Sequence, residues 1–191
     1  MKNRLLLIFL LLTNFAFAQR NSISIGYGYG TTDQIISGLA TALAAGFTDA
    51  KSANVKSTGA IALSYHHFNE SNRAGLGFAV VYDNIRSDIQ NKSGSKISTS
   101  KSTVITAAAE GKVKYNKGEN FNIYGLLGAG YTFTNTTYDP PPSSGEKTKK
   151  DGHFNFQITP IGLQFGGNVK VFAEVGFGYK GLANGGIQFN F

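Results

Sequence analysis

The chain has 191 residues, 41% hydrophobic and 13% aromatic, with 24 glycines, 4 prolines and 15% charged residues; it has room for one domain and favours many strands joined by turns. It contains no cysteine, which excludes a disulfide framework, a thiolate nucleophile and a cysteine-linked lipid anchor. The formal charge is +7, and 18 basic residues less Lys2 and Arg4 leaves 16 against 11 acidic ones, a mild excess held mostly in loop-like stretches such as "KSGSKISTSKS"; nucleic-acid binding, which wants basic residues clustered on one face beside aromatics, is not expected. Contact with an acidic surface such as lipopolysaccharide suits these loops better.

The first stretch carries Lys2 and Arg4, an apolar run from Leu5 to Leu12, then Ala16-Phe17-Ala18. This pattern predicts a secretory signal over 1–18, cleaved after Ala18, because the run is shorter than the roughly 20 residues a membrane helix needs. Residues 19–191 form the mature domain.

Eight segments then repeat apolar residues at every second position, the period of a strand. The first places Ile23, Ile25, Tyr27 and Tyr29 on one face; the second Ile61, Leu63 and Tyr65; the third Leu76, Phe78, Val80 and Tyr82. Between the first two, Thr31 and Gln34 have capping-box spacing ahead of Ile35, Ile36, Leu39, Ala42 and Leu43, which predicts a short helix ending near Gly46, its apolar face resting on a barrel mouth or a membrane leaflet, or offered to a partner. Adjacent His66 and His67 fall on opposite faces of a strand, and His153 has no ligand-spaced partner, so no metal or other cofactor is expected.

The fourth segment decides the orientation. Ile105, Ala107, Ala109, Val113 and Tyr115 share one face, while Thr106, Glu110, Lys112 and Lys114 share the other. A lysine facing hydrocarbon at mid-bilayer costs about 2–4 kcal/mol, so the charged face must look into a lumen. The fifth has Phe121, Ile123, Leu127, Ala129, Tyr131 and Phe133 outward with Gly128 and Gly130 inward. In the sixth the phase of Phe154, Phe156 and Ile158 changes to that of Ile161, Leu163 and Phe165, which predicts a bulge near Thr159-Pro160. The seventh puts Val169, Val171, Ala173, Val175, Phe177 and Tyr179 outward and Lys170, Phe172, Glu174 and Gly176 inward; the last ends the chain with Ile187, Phe189 and Phe191 outward. "GFGYKG" matches a dinucleotide-binding spacing but lacks the following helix that the motif requires.

Connections alternate long and short, apart from a brief final "KGLAN", as in an up-and-down membrane barrel with short turns at one end and long loops at the other. Aromatic residues gather toward two rims, with Tyr27, Tyr29, Tyr82, Tyr131, Phe177 and Tyr179 at one and Tyr65 and Tyr115 at the other, which is the girdle pattern of the headgroup boundary. The expected fold is all-β: an eight-stranded antiparallel transmembrane β-barrel. Its interior is just wide enough for side chains to fill, so Glu110, Lys112, Lys114, Lys170 and Glu174 are expected to meet inside, either plugging the lumen as ion pairs or gating a narrow pore.

On "YGLLGAGY", "PIGLQFG", "FAEVGFGYKG" and the terminal "GGIQFNF", the mature chain resembles the small OmpA/OmpX-like outer-membrane barrels. The resemblance implies a monomer in the outer membrane of a Gram-negative bacterium, in contact with its lipid and lipopolysaccharide, with Phe189 and Phe191 as the signal read by the barrel-assembly machinery. No Ser/His/Asp set at interpretable geometry is visible, so no enzyme is expected, and the expected role is structural or surface-interacting. A small porin-like pore for ions or solutes and a secreted, soluble, lipocalin-like barrel are the rival readings, the latter placing its apolar face inside.

Overall fold

A computed structural model describes residues 20–47, 50–91, 96–139 and 147–191. Residues 1–18, expected to be a signal, lie outside them. One sheet closes on itself through nine strand elements: β1 (Asn21–Tyr29), β2 (Ala50–Ser57), β3 (Ala60–Phe68), β4 (Ala74–Asn91), β5 (Lys96–Lys114), β6 (Phe121–Asp139), β7 (Thr148–Gly166), β8 (Val169–Gly178) and β9 (Ala183–Asn190). A helix, α1 (Thr32–Phe47), follows β1. β2 and β3 both pair with β4, from Ala50 opposite Asn91 to Phe68 opposite Gly75, so they are two halves of one barrel strand interrupted at Thr58-Gly59. Eight strand positions result, all neighbours antiparallel.

Closure falls on the first and last strands. β1 pairs β9 from Ser22 opposite Asn190 to Tyr29 opposite Ala183, and beyond it Asn21 and Phe191 exchange both backbone hydrogen bonds at 2.9 Å. The apolar alternation runs to the last residue because that residue is part of the seam. A closed barrel leaves no unpaired edge along the seam, the condition for placing a sheet in hydrocarbon.

Period-two alternation then sorts the faces. Leu76, Leu127, Val175, Phe154 and Phe165 stand outside with 64–77% of their surface exposed, and the exposed set continues around every strand position through Ile25, Leu63, Ile105, Ile161, Val171 and Ile187. Inside lie Thr106, Glu110, Lys112, Gln157, Gln164, Glu174 and Gln188, each 5% exposed or less. This is the reverse of a soluble ligand-binding barrel. The phase change in β7 occurs where expected: register against β8 shifts between Ile158 and Ile161, and against β6 between Tyr124 and Leu126, so Pro160 sits in a bulge where its missing N–H interrupts little.

Two sequence expectations require correction. Much of the stretches "NIRSDIQNKSGSKISTSK" and "NTTYDPPPSSGEKTKKDG", read as long loops, continues the ladders of β4–β5 and β6–β7, with Arg86 opposite Lys101 and Thr136 opposite Lys149. Residues 92–95 and 140–146 lie outside the described ones. These strands run 18–19 residues, against the ~9–11 needed to cross a bilayer. Beyond Tyr82, Ile105 and Phe133 their outward residues turn polar, which removes the alternation that marks a strand in sequence but not the β-propensity of the threonines.

The second correction concerns Tyr179. It is 1% exposed and points into the lumen instead of joining the outer girdle. Gly178 has φ 147° and Gly181 φ 101°, and a Gly181 N–H to Gly178 carbonyl bond of 3.1 Å closes a tight turn. The left-handed backbone at Gly178 breaks the strand phase, so both central residues of the turn, Tyr179 and Lys180, dip inward.

Candidate functional site: a polar lumen

The lumen is a column of paired polar groups. At its centre Glu110, on β5, meets three partners: Lys180 Nζ at 2.7 Å from Oε1 and 2.9 Å from Oε2, the Tyr179 hydroxyl donating at 2.8 Å, and His66 Nε2 at 3.1 Å. Glu174, on β8, accepts from the Tyr124 hydroxyl and from Asn184 Nδ2, both at 2.7 Å. Lys112 stands over the Tyr124 ring, 3.9 Å from its centroid, and donates to Gln188 Oε1 at 3.1 Å. Gln164 Nε2 donates to the same oxygen at 2.6 Å.

Small residues make room for the large ones. A Cβ on Gly162 would strike the Tyr124 ring, and one on Gly128 would strike the Tyr179 hydroxyl. Gly162 thus seats a tyrosine from the adjacent strand and Gly128 one from the β8–β9 turn, which fills a barrel of this size with side chains.

The five charged residues picked from the sequence all lie inside, but they do not pair with one another. Glu110 takes Lys180, Glu174 takes neutral donors, and Lys114 and Lys170 sit apart at the end of short turns. There Lys114 donates to Asn72 Oδ1 at 2.8 Å, and Lys170 to the carbonyls of Glu119 and Gly166 at 2.8 and 3.0 Å. The lumen also holds His66, Tyr124, Tyr179 and Lys180, none of which the sequence analysis places inside. His66 was legible from the inward phase of β3, which it shares with Ala62 and Ser64. Tyr124 was masked because an aromatic between Ile123 and Leu127 does not look like a lumen residue. Lys180 depends on the turn.

At the opposite end the first turn of α1 closes the mouth. Thr31 caps it, its hydroxyl accepting the Gln34 N–H at 3.2 Å, while Gln34 Oε1 reaches back to the Gly30 N–H at 2.8 Å. This is the expected capping box moved back by one donor. The helix docks through these polar residues. Gln34 Nε2 donates to Asp83 Oδ2 at 2.7 Å and Thr31 Oγ1 to the same atom at 3.1 Å. Thr32 Oγ1 donates to Asn155 Oδ1 at 2.9 Å, and Asp33 accepts from Asn155 Nδ2 at 3.0 Å and faces His153 Nε2 at 3.2 Å. Burial, with Asp83 adding repulsion and His153 opposing it, holds the Asp33 carboxyl above the usual aspartate range. Ile36 and Leu39 stand exposed, so the described apolar residues of α1 do not rest in the mouth. Ala42, Leu43 and Gly46 have side-chain surroundings outside the description.

Tyr27, Tyr29, Tyr82, Tyr131 and Phe177 lie on the outer surface toward the helix end, with Tyr131 and Phe133 in edge contact at 5.1 Å between centroids. Tyr115 and the partly covered Tyr65 lie toward the turn end, where Tyr65 packs on Phe78 at 5.4 Å. Phe189 faces outward beside Ile23 and Val169, and Phe191 closes the seam. Among the described residues no group of three or more His, Asp or Glu side chains is gathered as a metal site.

No family model and no curated protein matches this chain. Among solved structures it is similar to Ail, the attachment invasion locus protein of Yersinia pestis, at 18% identity and a TM-score of 0.41, over 89% of this chain and 94% of that one.

Proposed function

We propose that this chain is an integral outer-membrane β-barrel of a Gram-negative bacterium, similar in kind to the small OmpA/OmpX-like proteins and exported by a cleaved signal over 1–18. Its role is structural or surface-interacting, carried by the rim that α1 and the extended hairpins β4–β5 and β6–β7 build, and it is not catalytic. It inserts as a monomer with the help of the barrel-assembly machinery, and its external rim meets lipopolysaccharide. The observation that carries this reading is the sorting of faces: large apolar residues stand outside around every strand position, while the enclosed charges are hydrogen-bonded or paired. Exposing that belt to water would cost roughly 25 cal/mol for each Å² of apolar surface, a cost that hydrocarbon removes.

The lumen is read as closed, because Tyr124, Tyr179, Lys180 and the glutamines cross it. Fractionation of cells expressing the full chain, with gel mobility before and after boiling, tests the assignment: the expected product lies in the outer-membrane fraction and migrates faster unboiled. Recovery in a soluble fraction would overturn it. Single-channel recording tests the lumen, and steady conductance abolished by Glu110→Gln or Glu174→Gln would favour a pore.

A further inference from the structure

Beyond the rim at the helix end, the opposite mouth of the barrel holds a cavity of about 520 Å³ among the turns 69–73, 115–120 and 167–168. Its lining is strongly basic. Arg73, Lys114, Lys117 and Lys170 contribute four cations against a single acidic side chain, that of Glu119.

Two of these cations are buried. Lys114 and Lys170 are 8% and 5% exposed. Lys170 Nζ is held by neutral oxygens alone, the Glu119 and Gly166 carbonyls and Asn122 Oδ1 at 3.3 Å. Lys114 Nζ has Asn72 Oδ1 and the Phe68 ring, 4.3 Å from its centroid. Among the described residues neither ammonium has a carboxylate within 4 Å, unlike Lys180 on Glu110. Two like charges enclosed in one mouth, neither in contact with a carboxylate among the described residues, repel each other, and an anion between them relieves the repulsion.

We infer that this turn-end vestibule is a binding site for a phosphate group, with Lys114 as its buried donor, Lys170 as a buried charge beside it, and Arg73 and Lys117 at its entrance. Lys114 Nζ, with one oxygen acceptor among the described residues, keeps N–H groups for the oxygens of a phosphate, while Lys170 Nζ, its three N–H groups taken by oxygens, contributes the attraction of its charge. Asn116, Asn168 and Asn190 complete a polar lining, the amides of Asn116 and Asn190 being held by bonds in and beside the turns. The volume falls within the ~300–1,000 Å³ of small-molecule sites, enough for more than a single bare ion. The phosphate can come from a free phosphorylated molecule or from a lipid headgroup reaching over the rim. The inference rests on the vestibule's geometry and stands whether or not the barrel resides in an outer membrane.

The test is calorimetric titration of the full-length refolded barrel, first with inorganic pyrophosphate in a zwitterionic detergent, then with vesicles of phosphatidylglycerol or of phosphatidylcholine alone. Saturable pyrophosphate binding that weakens with salt is expected, falling about tenfold or more in Lys114→Gln and again in Lys170→Gln, and unchanged in Lys149→Gln on the far rim. Binding seen with phosphatidylglycerol vesicles but not with pyrophosphate would assign the headgroup as the source. If the double variant does not fold, as its unboiled gel mobility reports, Arg73→Gln with Lys117→Gln must still reduce affinity and flatten the salt dependence. Absence of saturable binding with both probes, or equal affinity in the folded lysine variants, would overturn the site.

Discussion

Lys180 and Glu110 stand 70 residues apart in the chain and meet inside the barrel at 2.7 Å, with side chains 4% and 0% exposed. The contact joins the tight β8–β9 turn to the middle of β5, across the lumen. The turn is itself part of the filling, which is why this connection is held tight instead of looping outward.

Removing one partner of this pair leaves a charge without its counterpart in an enclosed space. Lys180→Met is expected to destabilise the refolded barrel by about 3–5 kcal/mol, and Glu110→Gln added to it to recover much of that loss. Urea unfolding in liposomes, followed by the fraction with folded gel mobility, measures both. A double variant as unstable as the single one would show that the pair does not act as a unit.

The inward placement of Tyr179 has its own test. Gly128→Ala puts a Cβ against the Tyr179 hydroxyl and is expected to cost about 1–3 kcal/mol by overpacking. In a Tyr179→Phe background, where the oxygen is gone, the same change is expected to cost clearly less. The coupling from the four unfolding free energies isolates the contact, and strictly additive effects would return Tyr179 to the outer surface.

The strand count, the face of each strand, the bulge beside Pro160 and the start of α1 were legible because each leaves a local mark: an alternation, a phase change, a capping box. Glu110 on β5 revealed the lumen side by sharing its phase with Lys112 and Lys114. What remained hidden depends on contacts between distant segments. Tyr179 looked like a girdle residue because the outward phase of Val175 and Phe177 runs on unbroken to residue 179; only the positive φ of Gly178 turns it in. The polar extensions of β4 to β7 were read as loops because, outside hydrocarbon, neither face of a hairpin needs to be apolar. The partner of Glu110 was missed for a similar reason, since turn residues carry no periodicity.

Docking of α1 is expected to depend on pH through Asp33, which faces His153 from β7 and Asp83 from β4. Its carboxyl is raised above 3.8, so between 3.8 and its folded value the folded state binds more protons than the unfolded one. The Asp33 contribution therefore makes stability fall as pH rises through that window. Thermal unfolding of wild type and Asp33→Asn across this range is expected to show wild type gaining on the variant as pH is lowered. A difference independent of pH, or one of opposite slope, would remove Asp33 from the account of the mouth.

The end of the chain closes the seam through backbone bonds between Asn21 and Phe191, whereas recognition by assembly machinery would use side chains. Phe191→Ser keeps the backbone bonds. It is expected to refold in detergent at nearly the wild-type yield but to insert poorly in cells, as pulse-labelling with gel mobility would report. Equal losses in both settings would assign Phe191 a closing role alone.

The most direct test is of the belt itself. With no native cysteine, Leu127→Cys, Val175→Cys and Ile187→Cys each accept one spin label without background, and Lys101→Cys on the polar extension of β5 serves as the aqueous reference. In liposomes the expected result is relaxation of the three belt labels by lipid-soluble oxygen and not by a water-soluble nickel complex, with the reverse at position 101. Belt labels that collide freely with the nickel complex, or that are shielded from both reagents in a packed interior, would contradict a barrel facing hydrocarbon.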